Sequence, residues 1–148
     1  MSHDAGAVPT ADRRTLRRRR GDGAEAHVAA HLRARGWRIL AAQLRVGRDE
    51  VDLLALEPGA PPTIVVVEVR SRSNARSGPQ EERVDGAKVR RLYRAAAALR
   101  AAGRLADGTS LPSGRWRVDL VAIDLAAAAG SQVGRPVALR HLRGLIPA

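Results

Sequence analysis

Cysteine and phenylalanine are absent from this 148-residue chain, and its aromatic rings are limited to Trp37, Tyr93 and Trp116. Without thiols there is no disulfide framework, no thiolate zinc site and no cysteine nucleophile, which fits a reducing interior. Three scattered rings make no stacking platform, so recognition of single strands by base stacking is not supported. Trp37 and Trp116 each follow a break and open a strand, and they read as packing residues. No stretch approaches the roughly 18 apolar residues of a membrane span, and Met1-Ser2-His3-Asp4 is not an apolar leader, so a soluble, cytoplasmic protein is expected. Lysine is almost missing as well: Lys88 stands alone among 26 basic residues.

What the chain has is arginine. The formal net charge is +11, with 26 basic residues against 15 acidic ones, so its field favours polyanions, nucleic acid above all. Residues 1–20 hold six arginines against Asp4 and Asp12, less than half of that excess. Both the leading segment and the remainder are therefore basic. The abundance of arginine and alanine resembles coding bias, which weakens any single arginine as a signal. Gly, Pro, Asp and Arg without apolar periodicity predict a disordered basic arm over 1–22, followed by one domain over 23–148.

Val28 and Leu32, four apart, predict a helix over 24–35 closed by Gly36, with Glu25 on the edge of its inward face. Residues 37–44 and 50–56 read as a hairpin around Val46-Gly47-Arg48-Asp49. The run Thr63-Ile64-Val65-Val66-Val67-Glu68-Val69-Arg70 reads as a central strand covered on both faces. Alternation puts Glu68 and Arg70 with Ile64 and Val66 on one side, and Val65, Val67 and Val69 on the other. Residues 72–82 read as an exposed loop, 84–102 as a helix striped by Lys88, Leu92, Ala95 and Leu99, and 116–125 and 137–142 as strands. The expected fold class is α/β, a mixed sheet flanked by helices in the order α-β-β-β-α-β-β.

One residue in this plan is out of place. A carboxylate inside a valine run is costly unless a cation compensates it, so Glu68 requires a partner. Asp52 on the preceding strand and Glu25 on the first helix are the acids this order brings toward it. Together they offer oxygen ligands to a hard ion such as Mg²⁺ or Mn²⁺. Arg70, on the same face, would then sit near a scissile phosphate. The residues also allow a plainer reading, in which Glu68 and Arg70 form a structural ion pair and Asp52 caps a turn.

His27 and His31 have zinc-like spacing, but Val28 stands where the zincin motif needs glutamate. Gly21-Asp22-Gly23 lacks the strand and third glycine of a dinucleotide loop, and no phosphate-binding loop with its lysine occurs.

Gly23-Ala24-Glu25-Ala26, Asp49-Glu50-Val51-Asp52-Leu53-Leu54-Ala55 and Val67-Glu68-Val69-Arg70-Ser71-Arg72 resemble motifs of the YraN-like family. Gly78, Val84, Lys88, Arg91-Leu92, Arg117-Val118-Asp119-Leu120-Val121-Ala122 and Leu142 continue its order, so that the match spans roughly residues 20 to 146. That family looks like predicted endonucleases of the restriction-endonuclease-like superfamily, similar to Holliday-junction resolvases. The resemblance implies a nuclease acting on structured DNA, with Mg²⁺ or Mn²⁺ held by Asp52, Glu68 and the Val69 carbonyl, and with Glu25 as an auxiliary acid. Glu50 matches a further family carboxylate.

The family's lysine is Arg70 here, its turn glycine is Asp49, and an aromatic before Gly78 is Ser77. A guanidinium grips phosphate but stays protonated, so two readings follow: cleavage survives, or the protein binds nucleic acid without cutting. Lys88 is the one ammonium able to reach the site from another element, unless it is simply a surface residue. Arg72, Arg76 and Arg91 are expected phosphate contacts, and a homodimer would let two sites address two strands. A structural role in a repair or ribosomal assembly rests on charge alone.

Overall fold

A computed structural model describes residues 13–72, 85–126 and 134–147, with side chains from Gly23 onward. Helix α1 (Arg13–Ala34) is the first element. It begins ahead of the expected start at Ala24, so residues 13–22, read as part of a disordered arm, are helical. Arginine and leucine are good helix formers. Residues 1–12 lie outside the described residues. Gly36, at φ +85°, supplies the left-handed turn after the helix that a side chain would disfavour.

Strands β1 (Arg38–Val46), β2 (Asp49–Glu57) and β3 (Thr63–Arg72), helix α2 (Gly86–Ala102), and strands β4 (Arg115–Leu125) and β5 (Pro136–Leu142) follow in the expected α-β-β-β-α-β-β order. The strands lie side by side as β1-β2-β3-β4-β5. Every pairing is antiparallel except β3 with β4, which is parallel and bridged by α2. The sheet is therefore mixed with β3 at its centre, as the expected restriction-endonuclease-like class requires.

The two faces of β3 behave as alternation predicts. Val65 and Val67 pack with Ala24, Val28, Leu32 and Trp37 on the α1 side, where Val69 adds to them. Ile64 and Val66 pack with Leu92, Ala95 and Leu99 on the α2 side. Asp85 starts α2 by accepting a hydrogen bond from the Ala87 N–H at 3.1 Å, and Gly103 at φ +67° ends it. Leu32 and Leu54 are fully buried, one on each side. Either one changed to alanine is expected to cost about 2–5 kcal/mol in urea denaturation, by lost transfer energy and an unfilled cavity.

One departure from regularity positions the site. The β2–β3 ladder stops at Leu53↔Val67. Beyond that pair β2 continues only with β1, to Val46↔Asp49, and β3 only with β4, to Arg72↔Asp124. The sheet forks there, with Asp52 and Glu68 as the next residue on each side. Gln43, across from Asp52, has φ +49°, and Val51 packs on the α2 side together with Leu54, so strict alternation breaks at Asp52.

Candidate functional site

At the fork, the Val69 N–H donates to Asp52 Oδ2 at 2.8 Å. The Asp52 carboxylate thereby lies against the Val69 peptide, in place of the ladder that has ended. Glu68 is buried, 7% exposed, on the α2 side. Its Oε1 meets Lys88 Nζ at 3.6 Å, and its Oε2 is buried without a hydrogen-bond partner. Burial first, and then the neighbouring Asp52 carboxylate, push the Glu68 carboxyl up to about 7, against the pull of Lys88 and Arg70. Two acids thus share a low-dielectric site with one ammonium at its rim.

The remaining expected residues divide. Arg70 is exposed on β3 two residues past Glu68, near enough for its charge to act on that carboxyl. Glu25 is buried, 9% exposed, on α1, the helix covering the opposite face. Among the described residues no three His, Cys, Asp or Glu side chains stand close enough to hold a metal together. Arg72 is drawn to Asp124, with Nη2 at 3.3 Å from Oδ2 and Nε at 3.3 Å from Oδ1. Arg91 is exposed on α2, its Nε bonded to the Ala87 carbonyl at 3.3 Å. Arg76, Ser77, Gly78 and Val84 lie outside the described residues.

An open cleft of about 710 Å³ lies between the β1–β2 turn and α2, lined by Arg48, Asp49, Ala87, Arg90, Arg91 and Arg94. Asp49 bonds Arg94 twice, at 2.8 and 2.6 Å, and the hydrogen bond from Arg94 holds its carboxyl below the usual range.

A second charged cluster was not anticipated from the sequence. Asp119 on β4 is fully buried on the α1 side, accepting from Arg117 Nε at 2.7 Å and from the Gly144 N–H at 3.0 Å, with His141 Nε2 at 2.8 Å. Arg117 also forks onto Glu57 at 3.1 and 2.9 Å, and Arg143 reaches Glu57 at 2.7 Å. The Trp37 ring is flanked by both guanidiniums, at 6.0 and 5.8 Å, and by His141 at 5.5 Å. The available signal was a carboxylate inside the apolar run Val118-Asp119-Leu120-Val121, the same one that singled out Glu68. The cluster's members are engaged with one another and tie the end of β2 to β4, β5 and the segment after β5.

The sequence profile described as "Uncharacterised protein family UPF0102" matches residues 24–123, most of the chain and all the residues of the fork. The chain belongs to this family. It is 37% identical to a UPF0102 protein of Roseiflexus castenholzii over 74% of this chain and 82% of that protein. With a UPF0102 protein of Sorangium cellulosum it shares 36% identity over 79% and 85% of the two chains. A UPF0102 protein of Moorella thermoacetica is 44% identical over 55% of this chain and 65% of its own length. The UPF0102 match includes Asp52, Glu68 and Lys88 and stops before β5. No helix among the described residues is long and apolar enough to cross a membrane.

Proposed function

We propose that this UPF0102 protein is a divalent-metal-dependent nuclease that hydrolyses phosphodiester bonds in structured DNA, with Asp52 and Glu68 as its metal ligands. The observation that carries this reading is the Glu68 carboxylate: buried, crowded by a second carboxylate, and with one oxygen unpartnered. A fold keeps so costly an arrangement where something positive completes it. Two hard oxygen donors fit Mg²⁺ or Mn²⁺, which retain several waters and do not need an all-protein cage. Asp52, oriented by the Val69 N–H, and Glu68 Oε2 would hold the ion, with the Val69 carbonyl as a third donor. When bound, the ion supplies charge to a phosphate oxygen and acidity to a coordinated water.

The protein's own groups do the rest. Arg70 binds phosphate bidentately and holds it against the acid pair. Lys88, one helix away from the strand that would carry the motif's lysine, places an ammonium 3.6 Å from Glu68, where it holds or moves a proton near the attacking water. Glu25, on the helix over the opposite face, is not one of the ligands in this reading. The net charge of +11 supports a nucleic-acid substrate, and the likeness to resolvases supports structured DNA and a pair of copies, one for each strand.

The test is cleavage of duplex, flap and four-way DNA with Mg²⁺ or Mn²⁺. Metal-dependent cleavage is expected, lost in Asp52→Asn and in Glu68→Gln; cleavage that survives both would sink the assignment. Lys88→Arg is expected to bind DNA as wild type but cleave at least about a hundredfold more slowly, because its charge remains and its titratable proton does not. A second reading, a DNA-binding module that does not cut, is favoured by Arg70 and by the lack of a three-acid cluster among the described residues. Salt-sensitive binding without cleavage, even in Arg70→Lys, would establish it.

A further inference from the structure

The cleft between the β1–β2 turn and α2 is built from arginine and closed to base stacking. Its one acid among the described residues, Asp49, has both oxygens on Arg94. Among the described residues no acid pairs with Arg48, Arg90 or Arg91, and Arg91 uses only its Nε, on its own helix. Among the described residues, nothing acidic takes these three guanidiniums on its walls. No aromatic ring lines it, so it has no means of reading a base by its face.

The helical period sets Ala87, Arg90, Arg91 and Arg94 along one stripe of α2 about 10 Å long, and a nucleic-acid strand carries one phosphate per about 3.4 Å of axis. Lys88, at the acid pair, belongs to the neighbouring stripe of the same helix, the one that packs on the sheet through Leu92, Ala95 and Leu99, and Arg91 lies one turn beyond it. The cleft and the acid pair are thus linked through one helix, by way of Lys88 and Arg91.

We infer that this cleft is a sequence-independent subsite for the phosphodiester backbone flanking the strand presented to Asp52 and Glu68, with the β1–β2 turn as a wall latched to α2 through Asp49 and Arg94. The inference rests on the reading that the protein acts on nucleic acid. Guanidiniums grip phosphate oxygens in pairs and leave base edges unread, so the subsite contributes register and affinity, not sequence preference.

The experiment is fluorescence anisotropy of a labelled duplex with the full chain in EDTA, from about 50 to about 300 mM salt. Arg48→Ala with Arg90→Ala removes two charges from the cleft and spares the Asp49–Arg94 latch. Arg104→Ala with Arg115→Ala removes the same charge from exposed positions outside it. The cleft pair is expected to weaken binding at least about tenfold on every duplex sequence, with a salt slope shallower by roughly 2. The outer pair is expected to change affinity less than about threefold, with an unchanged slope.

Equal losses in the two pairs, or none in the cleft pair, would overturn the subsite while leaving the nuclease reading intact. Poly-glutamate of equal charge competing as well as DNA would overturn the phosphodiester assignment. Wild type that binds no nucleic acid at low salt would overturn both. Binding that depends on the cleft, with cleavage indifferent to Asp52 and Glu68, would leave the subsite standing and remove the nuclease site.

Discussion

Glu68→Gln is expected to lower metal-dependent cleavage by about a hundredfold or more and, in the metal-free protein, to raise the melting temperature. The two effects have opposite signs because they have one cause. Glu68 is buried among apolar side chains, adjoins Asp52, and leaves Oε2 without a partner. An unsatisfied buried polar group costs about 1–3 kcal/mol, more when charged. Glutamine keeps the volume, removes the charge and can donate to Asp52, so a few degrees of melting temperature should return. The same change removes an anionic oxygen from the proposed metal site, where charge stabilisation commonly contributes about 10²–10³ in rate. Calorimetry and a cleavage assay on one preparation check both. Loss of activity together with a lower melting temperature would instead make Glu68 the structural partner of Lys88.

Asp119→Asn is expected to be the most destabilising polar substitution in the chain, by about 3–5 kcal/mol in urea denaturation, with no gain to offset it. Asparagine preserves shape but withdraws the charge on which Arg117 and His141 converge. The wild type should also show the cluster in its acid denaturation. Burial alone would raise the Asp119 carboxyl, but the bonds from Arg117, His141 and Gly144 overcome it and bring the group to about 2 from an ordinary 3.8. Because the folded value is the lower one, the unfolded chain binds the proton more readily. The stabilisation is complete above about pH 4 and is lost as pH falls through about 2. It amounts to about 2 kcal/mol. Denaturant midpoints measured from pH 6 downward should fall through that window in wild type and be flatter in Asp119→Asn.

The sequence was most legible where one physical rule dominates. The valine run of β3 allowed no element but a buried strand, and the alternation that set Glu68 apart from Val67 and Val69 survives intact. Gly36 ends its helix as expected, and Gly103 closes α2 just past the expected limit at 102, both at positive φ. Helix α1 was legible only where side chains alternate between core and solvent; residues 13–22 carry one leucine among six arginines and show no apolar period, yet the helix extends through them. The acid pair was foreseen because burying a carboxylate has a cost visible in one dimension. Glu25 was harder to judge, since a residue on the edge of a helix face can turn toward either side of a sheet. The Asp119 cluster joins β2, β4, β5 and the segment after β5, and the Asp49–Arg94 latch joins a turn to a helix far along the chain. Such pairings depend on register and topology, which local patterns do not carry.

The fork in the sheet makes the hairpin a lever. Beyond Leu53↔Val67, Asp52 is carried by the β1–β2 ribbon, whereas Glu68 is carried by the parallel β3–β4 pair. The spacing of the two carboxylates is therefore governed by how the ribbon tilts, as well as by their rotamers. The ribbon's tip is pinned to α2 at Asp49, three positions from Asp52 on the same strand. Sequence drift at the tip can retune how Asp52 meets Glu68 without altering either of them.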